Sequence, residues 1–163
     1  MRLFATTLGY LLTRKRAEDE RRATNVRFRT FVDHATDAFY LHDADGIIVD
    51  VNNHACLSLG YSREELIGMS PYTFDEGAER SVMDKIKERL DSGELISLDT
   101  SHIRKDGSVF PVELRIRPFW QGGQRMSVSL ARDITERKRA QEAQEQLLVQ
   151  IREHAQQVQN IMD

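Results

Sequence analysis

The sequence predicts an α+β domain carried between two helices. Three observations predict it. All three prolines and eight of the nine glycines fall in the middle of the 163-residue chain, and the two ends are nearly free of both. Tight-turn dipeptides punctuate that middle zone at Asp45-Gly46, Asp106-Gly107 and Gly122-Gly123. Val112, Leu114 and Ile116 alternate with Glu113, Arg115 and Arg117, the period of a strand with one wet face.

Residues 2–29 contain no proline and one glycine, and are rich in Ala, Arg, Glu and Leu, so they read as helix. Residues 1–27 are an N-terminal helical connector, 28–134 the domain, and 135–163 a C-terminal helix. Asp45-Gly46 separates strands at 38–43 and 47–52. Asp106-Gly107 separates 95–104 from 108–117, and Gly122-Gly123 separates that strand from 125–133. Glycine at these turns supplies the positive φ that tight hairpins require. Between the second and third strands, Ser62-Arg63-Glu64-Glu65 is a capping box. Val82, Ile86 and Leu90 share one face of a helix over 76–91, which Ser92-Gly93 ends. Two hairpin-linked groups of strands with helices between them imply an antiparallel sheet covered on one face.

Composition excludes some functions. The chain is 40% hydrophobic and 30% charged, with a net charge of -3, and it lacks the basic excess of a nucleic-acid binder. The one cysteine, Cys56, excludes an internal disulfide and fits a reducing compartment. On the short helix after Asn53, with no basic neighbour in sequence, it reads as a structural thiol. Leu3 to Leu12 is too short and too interrupted to span a membrane. Thr13-Arg14-Lys15-Arg16 fits the basic flank of a truncated membrane helix or the tail of an amphipathic helix. No phosphate loop, nucleophile elbow or kinase signature is present, so no catalytic residue is assigned.

Several runs resemble one family. Phe31-Val32-Asp33-His34-Ala35-Thr36-Asp37-Ala38 and Asp43-Ala44-Asp45-Gly46-Ile47-Ile48-Val49-Asp50-Val51-Asn52 are similar to the opening helix and first hairpin of PAS domains. Leu59-Gly60-Tyr61-Ser62-Arg63-Glu64-Glu65-Leu66-Ile67-Gly68 resembles the family's LGYS-x-EELIG run. Arg104-Lys105-Asp106-Gly107-Ser108 and Arg132-Asp133-Ile134-Thr135-Glu136-Arg137-Lys138 resemble its C-terminal PAC segment. Each is weak alone, but five in order over residues 28–140 are specific. The resemblance implies a five-stranded antiparallel sheet of order 2-1-5-4-3, with helices enclosing a cavity against one face. It implies a sensor of ligand, light, redox state or partner, upstream of a histidine kinase or a cyclic-dinucleotide enzyme.

The family's usual cofactors lack their residues here. The flavin-binding branch carries a cysteine in a run like N-C-R-F-L-Q, where this chain has Ile67-Gly68-Met69-Ser70-Pro71-Tyr72-Thr73-Phe74. The haem-binding branch places an axial histidine on the long helix, and residues 76–91 contain none. The five histidines, His34, His42, His54, His102 and His154, read as surface or rim residues without ligand-like spacing, so no metal site is assigned. A cavity for a small molecule would be lined by Phe39, Leu41, Leu59, Met69, Phe74, Val82, Ile86, Leu98, Leu114 and Ile116, with Ser127 and Ser129 as polar contacts. The competing expectation is that these side chains simply fill the core.

In the C-terminal helix Ala140, Leu147, His154 and Ile161 fall seven apart, and Gln144, Ile151 and Val158 fall four after them. That spacing is a heptad seam, with Leu147, Ile151, His154, Val158 and Ile161 as its dimer contacts; β-branched residues at a and Leu at d favour a parallel pair. Packing of an amphipathic helix on its own domain is the alternative. His154 lacks the followers of a phosphoacceptor motif. Asp133, Ile134 and Thr135 join the last strand directly to the helix and are the expected relay, Asp133 or Thr135 capping its first turn. Residues 151–163 are similar to the lead-in helix of a second such domain.

The expectation is therefore a cytoplasmic sensing and dimerising module, with no enzyme activity of its own. It forms a homodimer, contacts neither nucleic acid nor membrane, and relays a signal to an output domain outside this chain, that of a sensor histidine kinase. A ligand-free dimerisation spacer, or part of a cyclic-dinucleotide synthase or hydrolase, are the alternatives.

Overall fold

In the computed structural model, residues 2–162 are described, with side chains from Arg14 to Ile161. The side chains of Leu3 to Leu12 lie outside the described residues. Helix α1 (Arg2–Asp33) leads into strands β1 (Ala38–His42) and β2 (Ile48–Val51). Three short helical pieces follow, α2 (Asn53–Leu59), α3 (Arg63–Leu66) and a 3-10 turn (Pro71–Thr73), and then α4 (Arg80–Asp91). Strands β3 (Ile96–Ile103), β4 (Val109–Gln121) and β5 (Gln124–Asp133) precede α5 (Thr135–Met162).

The five strands form one antiparallel sheet of order β2-β1-β5-β4-β3. The first and last strands therefore meet at the centre, and β5 carries α5 directly out of the middle of the sheet. The hairpin glycines Gly46, Gly107, Gly122 and Gly123 all have positive φ, as the turns require. Strand β4 runs four residues past the expected end, because Pro118 to Gln121 stay paired with Gln124 to Ser127.

One face of the sheet packs the core with Tyr40, Ile48, Leu59, Leu66, Ile96 and Val112. The Ser62 capping box forms with both of its bonds. Helix α4 begins at Arg80, four residues later than the periodicity suggests. A loop occupies the interval. The Asp75 carboxylate accepts from the Gly77 amide at 2.9 Å and from the Thr100 hydroxyl at 2.6 Å, which fixes 75–77 against β3. A Cβ on Gly77 would lie 2.6 Å from the Thr100 hydroxyl, so this approach needs glycine.

Among the described residues no helix is long and apolar enough to cross a membrane. From Glu136 to Ile161 every residue of α5 is exposed, so the helix does not pack along its own domain. That removes the alternative of an amphipathic helix folded back on the sheet.

Candidate functional site

Between α4 and the inner face of the sheet lies a cavity of about 210 Å³. Its sheet wall comprises Tyr40 and His42 from β1, Leu98, Thr100 and His102 from β3, Leu114 and Ile116 from β4, and Arg125, Ser127 and Ser129 from β5. Val82, Ile86 and Leu90 of α4 close the other side, with Phe74 and Asp75 at one end. Part of the expected lining packs into the buried core, and part of it borders this cavity. The reason for the cavity lies in β5. Ser129 sits directly between Tyr40 and Ile116 in the sheet, and Ser127 is paired with His42. Small side chains at two successive inward positions leave space that a Leu or Val would occupy.

Phe74, Val82, Ile86, Leu98, Leu114, Ile116, Ser127 and Ser129 of the expected lining reach the cavity. Phe39 and Leu41 do not. Strand β1 buries Ala38, Tyr40 and His42, so its parity is opposite to the one its apolar residues suggest. Leu59 is fully buried in the core beside the cavity, and Met69 packs against that core. Among the residues missed were Tyr40, His42, His102 and Arg125. The available signal was the pairing of β1 with β5: inward Ser127 and Ser129 require their partners His42 and Tyr40 to face inward as well.

The histidines divide accordingly. His34 and His154 are exposed and His54 half-buried, but His42 and His102 are buried, contrary to the surface or rim reading. Tyr40 stacks on Phe74 with ring centroids 5.8 Å apart. His102 stands edge-on to Tyr40 at 6.3 Å, to Phe74 at 5.3 Å and to Phe110 at 5.8 Å. His42 Nδ1 lies 3.1 Å from the Gly46 carbonyl. A carbonyl only accepts, so this nitrogen carries the proton. Burial pushes the His42 imidazole down to about 4, against smaller opposing effects of Gly46 and Asp43. Burial likewise lowers His102 to about 4, although the Asp75 carboxylate 4.0 Å away favours its charged form. Both rings are neutral at pH 7. The Tyr40 phenol is raised by burial. Its oxygen and His102 Nδ1 are buried without a hydrogen-bond partner.

Both cations of the lining are paired. Arg125 Nε is 2.5 Å from Asp91, and the same guanidinium donates to the Ala44 carbonyl. At the mouth Lys87 pairs with Asp45 at 3.3 Å, linking α4 to the first hairpin. Among the described residues no cluster of His, Cys, Asp or Glu has the arrangement of a metal site. Cys56 is half-buried, and burial is the main cause that raises its thiol.

The strand-to-helix junction is short. Ile134 is buried and its amide donates to the Pro111 carbonyl at 3.1 Å. Asp133 accepts from the Thr135 amide, at the first residue of α5, at 2.8 Å, whereas the Thr135 hydroxyl has no partner. Arg137 reaches from the first turn of α5 to Glu113 at 3.3 Å and Asp99 at 3.8 Å on the outer face of the sheet. Leu147, Ile151, His154, Val158 and Ile161 are all exposed along α5.

The profile of the PAS domain family matches residues 36–136. A methyl sulfide methyltransferase-associated sensor of Methanosarcina acetivorans is 34% identical over 149 residues, covering 88% of this chain and 14% of that protein. An uncharacterised protein of Azorhizobium caulinodans is 30% identical, and the chain spans 20% of it. The crystal structure of the PAS domain of an HTR-like protein from Haloarcula marismortui superposes with a TM-score of 0.69 at 28% identity, over 74% of this chain and 99% of that one. A PAS domain from a two-component sensor histidine kinase superposes with a TM-score of 0.61 at 18% identity, over 69% of this chain and 98% of that one, a likeness of fold alone.

Proposed function

The chain belongs to the PAS domain family, and from that premise we propose that it is a ligand-sensing and dimerising module of a sensor histidine kinase, cytoplasmic in location. Binding in the cavity changes the strain in β5, and β5 hands that change to α5. The helix pairs with its copy in a second chain and carries the change to an output domain outside these residues. The module acts by binding and relay, with no chemistry of its own.

One observation carries the reading. Strand β5 lines the cavity through Arg125, Ser127 and Ser129 and runs, with only the buried Ile134 between, into α5. Cavity and connector are parts of one continuous backbone segment, so a movement at Ser129 has little slack to lose before Thr135. The Arg137 pairs to Glu113 and Asp99 then fix the direction in which α5 leaves. The cavity favours this reading over a ligand-free spacer, since a spacer needs no hollow core. The 34% identity to a methyl sulfide methyltransferase-associated sensor supports a sensory role, and the histidine kinase output is part of the proposal.

Ligand sensing is tested by denaturing the purified protein, analysing the released fraction by mass spectrometry, and running a thermal-shift panel of metabolites on the folded chain. A released molecule, or a saturable shift, is the expected result. An empty fraction together with no shift across the panel overturns ligand sensing.

A further inference from the structure

We propose that the cavity takes a small, uncharged, planar molecule bearing a hydrogen-bond donor beside an acceptor, a single-ring lactam or phenol, held against the wall that Tyr40 and His102 share. The proposal rests on the sensory reading above and specifies its ligand.

Size sets the first limit. At about 210 Å³ the cavity falls below the roughly 300–1,000 Å³ that drug-sized ligands occupy, so it suits one ring and a few substituents. Shape sets the second. Tyr40 and Phe74 lie nearly parallel at 16°, and His102 closes against both edge-on at 83° and 89°. The three rings pack on one another into a single aromatic wall, against which a flat guest gains contact area.

Polarity sets the third. The Tyr40 hydroxyl and His102 Nδ1 are the two buried polar atoms on these rings without partners. The Asp75 carboxylate lies on the Nε2 side of His102, 4.0 Å away, and favours the proton there. Nδ1 is then an acceptor that calls for a donor from the guest. The Tyr40 hydroxyl can donate in return. A lactam offers N–H and C=O side by side, and a phenol offers both functions on one oxygen. Ser127 and Ser129 hydroxyls stand on the adjoining wall for further groups.

Charge sets the fourth. Arg125 is paired with Asp91 and Lys87 with Asp45, so a carboxylate guest meets no unmatched cation. Asp75 already accepts from Thr100 and Gly77, and the other carboxylates of the lining, Asp45 and Asp84, are exposed, so an ammonium guest meets no idle carboxylate in the interior. A buried ion without a partner costs far more than a neutral polar group that finds its hydrogen bonds.

The test is calorimetric titration of the whole chain with 2-pyridone and phenol, against benzoate, benzylamine and toluene as charged and apolar controls. Saturable binding of 2-pyridone or phenol is expected, with each control at least about tenfold weaker. Tyr40→Phe removes one oxygen that has no partner, so the fold persists, checked by its melting temperature, and binding weakens by about tenfold, the equivalent of one hydrogen bond. His102→Phe keeps the aromatic edge contacts and gives a similar loss, and Ser129→Leu abolishes binding by filling the space. Tight binding of benzoate, benzylamine or toluene that Ser129→Leu blocks overturns the ligand class and leaves ligand sensing standing. Undiminished 2-pyridone and phenol binding in Tyr40→Phe overturns the assigned contacts. No binding by any of the five probes overturns the proposal, and the released-molecule experiment then decides ligand sensing separately.

Discussion

Asn52 is fully buried, and its side chain ties three segments together. Its oxygen accepts from the Phe39 amide at 3.0 Å and caps α2 through the Ala55 amide at 2.9 Å. Its nitrogen donates to the carbonyls of Val32 at 2.9 Å and Asp37 at 3.0 Å. Asn52→Ala loses a cap and leaves buried backbone groups unpaired, so a loss of about 2–4 kcal/mol is expected from urea unfolding. A loss under about 1 kcal/mol contradicts this account of the residue. His42 and His102 predict a pH dependence. Both titrate near 4 when folded, against about 6.5 when unfolded. Between those values the unfolded chain holds protons that the folded chain does not. Stability is therefore full above about pH 6.5, declines as pH falls, and has lost this contribution below about pH 4. The expected decline between pH 7 and pH 5 is about 2 kcal/mol per histidine, read from urea midpoints, and His102→Phe should remove about half of it. The carboxylates of exposed Glu65 beside Lys105 and half-buried Glu113 beside Arg115 are lowered, so their contribution is lost only at still lower pH. The sequence reading was weakest at this scale. Phe39 and Leu41 are more apolar than Tyr40 and His42, so hydrophobicity alone points the wrong face of β1 inward. Burial of two neutral imidazoles in an aromatic cluster depends on β3 and β1 meeting across the core, which no local pattern reveals.

At the scale of elements most boundaries were legible, because turns and caps are local chemistry. Asp-Gly and Gly-Gly mark the hairpins, and the Ser62–Glu65 box marks α3. The exception is instructive: the start of α4 is displaced by the contact of Gly77 with Thr100, twenty-three residues away in sequence. A capped loop that needs a distant partner looks, in sequence, like the first turn of the helix. The C-terminal helix is legible in a different sense. Its heptad spacing is visible, but the partner proposed for it is another chain. Leu147, Ile151 and Val158 are each about half exposed, and Ile161 is 83% exposed, apolar surface that pairing would cover. Leu148 and Val149 are exposed off the seam, which widens the apolar stripe. For the proposed dimer, scattering mass should rise with concentration from 18.8 kDa toward twice that value. Ile151→Asp places a charge at an a position and should hold the chain at the lower mass with the domain still folded. Equal masses for the two proteins at every concentration contradict the seam.

At the scale of the whole molecule, the order of motifs was enough for the fold, since PAS strand order follows once five segments are placed in sequence. The cavity was not legible as a cavity. Whether a set of inward residues fills a core or leaves a hollow turns on a few side-chain volumes, here those of Ser127, Ser129 and Ala78, which line the space. The path from site to connector emerges only at this scale. β5 is the central neighbour of both β1 and β4, it lines the cavity, and it ends one residue before α5 begins. The proposed relay works by the angular phase of a stiff paired helix, and this is the claim on which the account depends. The direct measurement is the signal-dependent output of the proposed parent kinase with alanines inserted after Arg139. Two alanines rotate everything downstream by more than half a turn and should abolish signal control, while seven restore the heptad phase and should return it. Signal control unchanged by two alanines contradicts relay through α5.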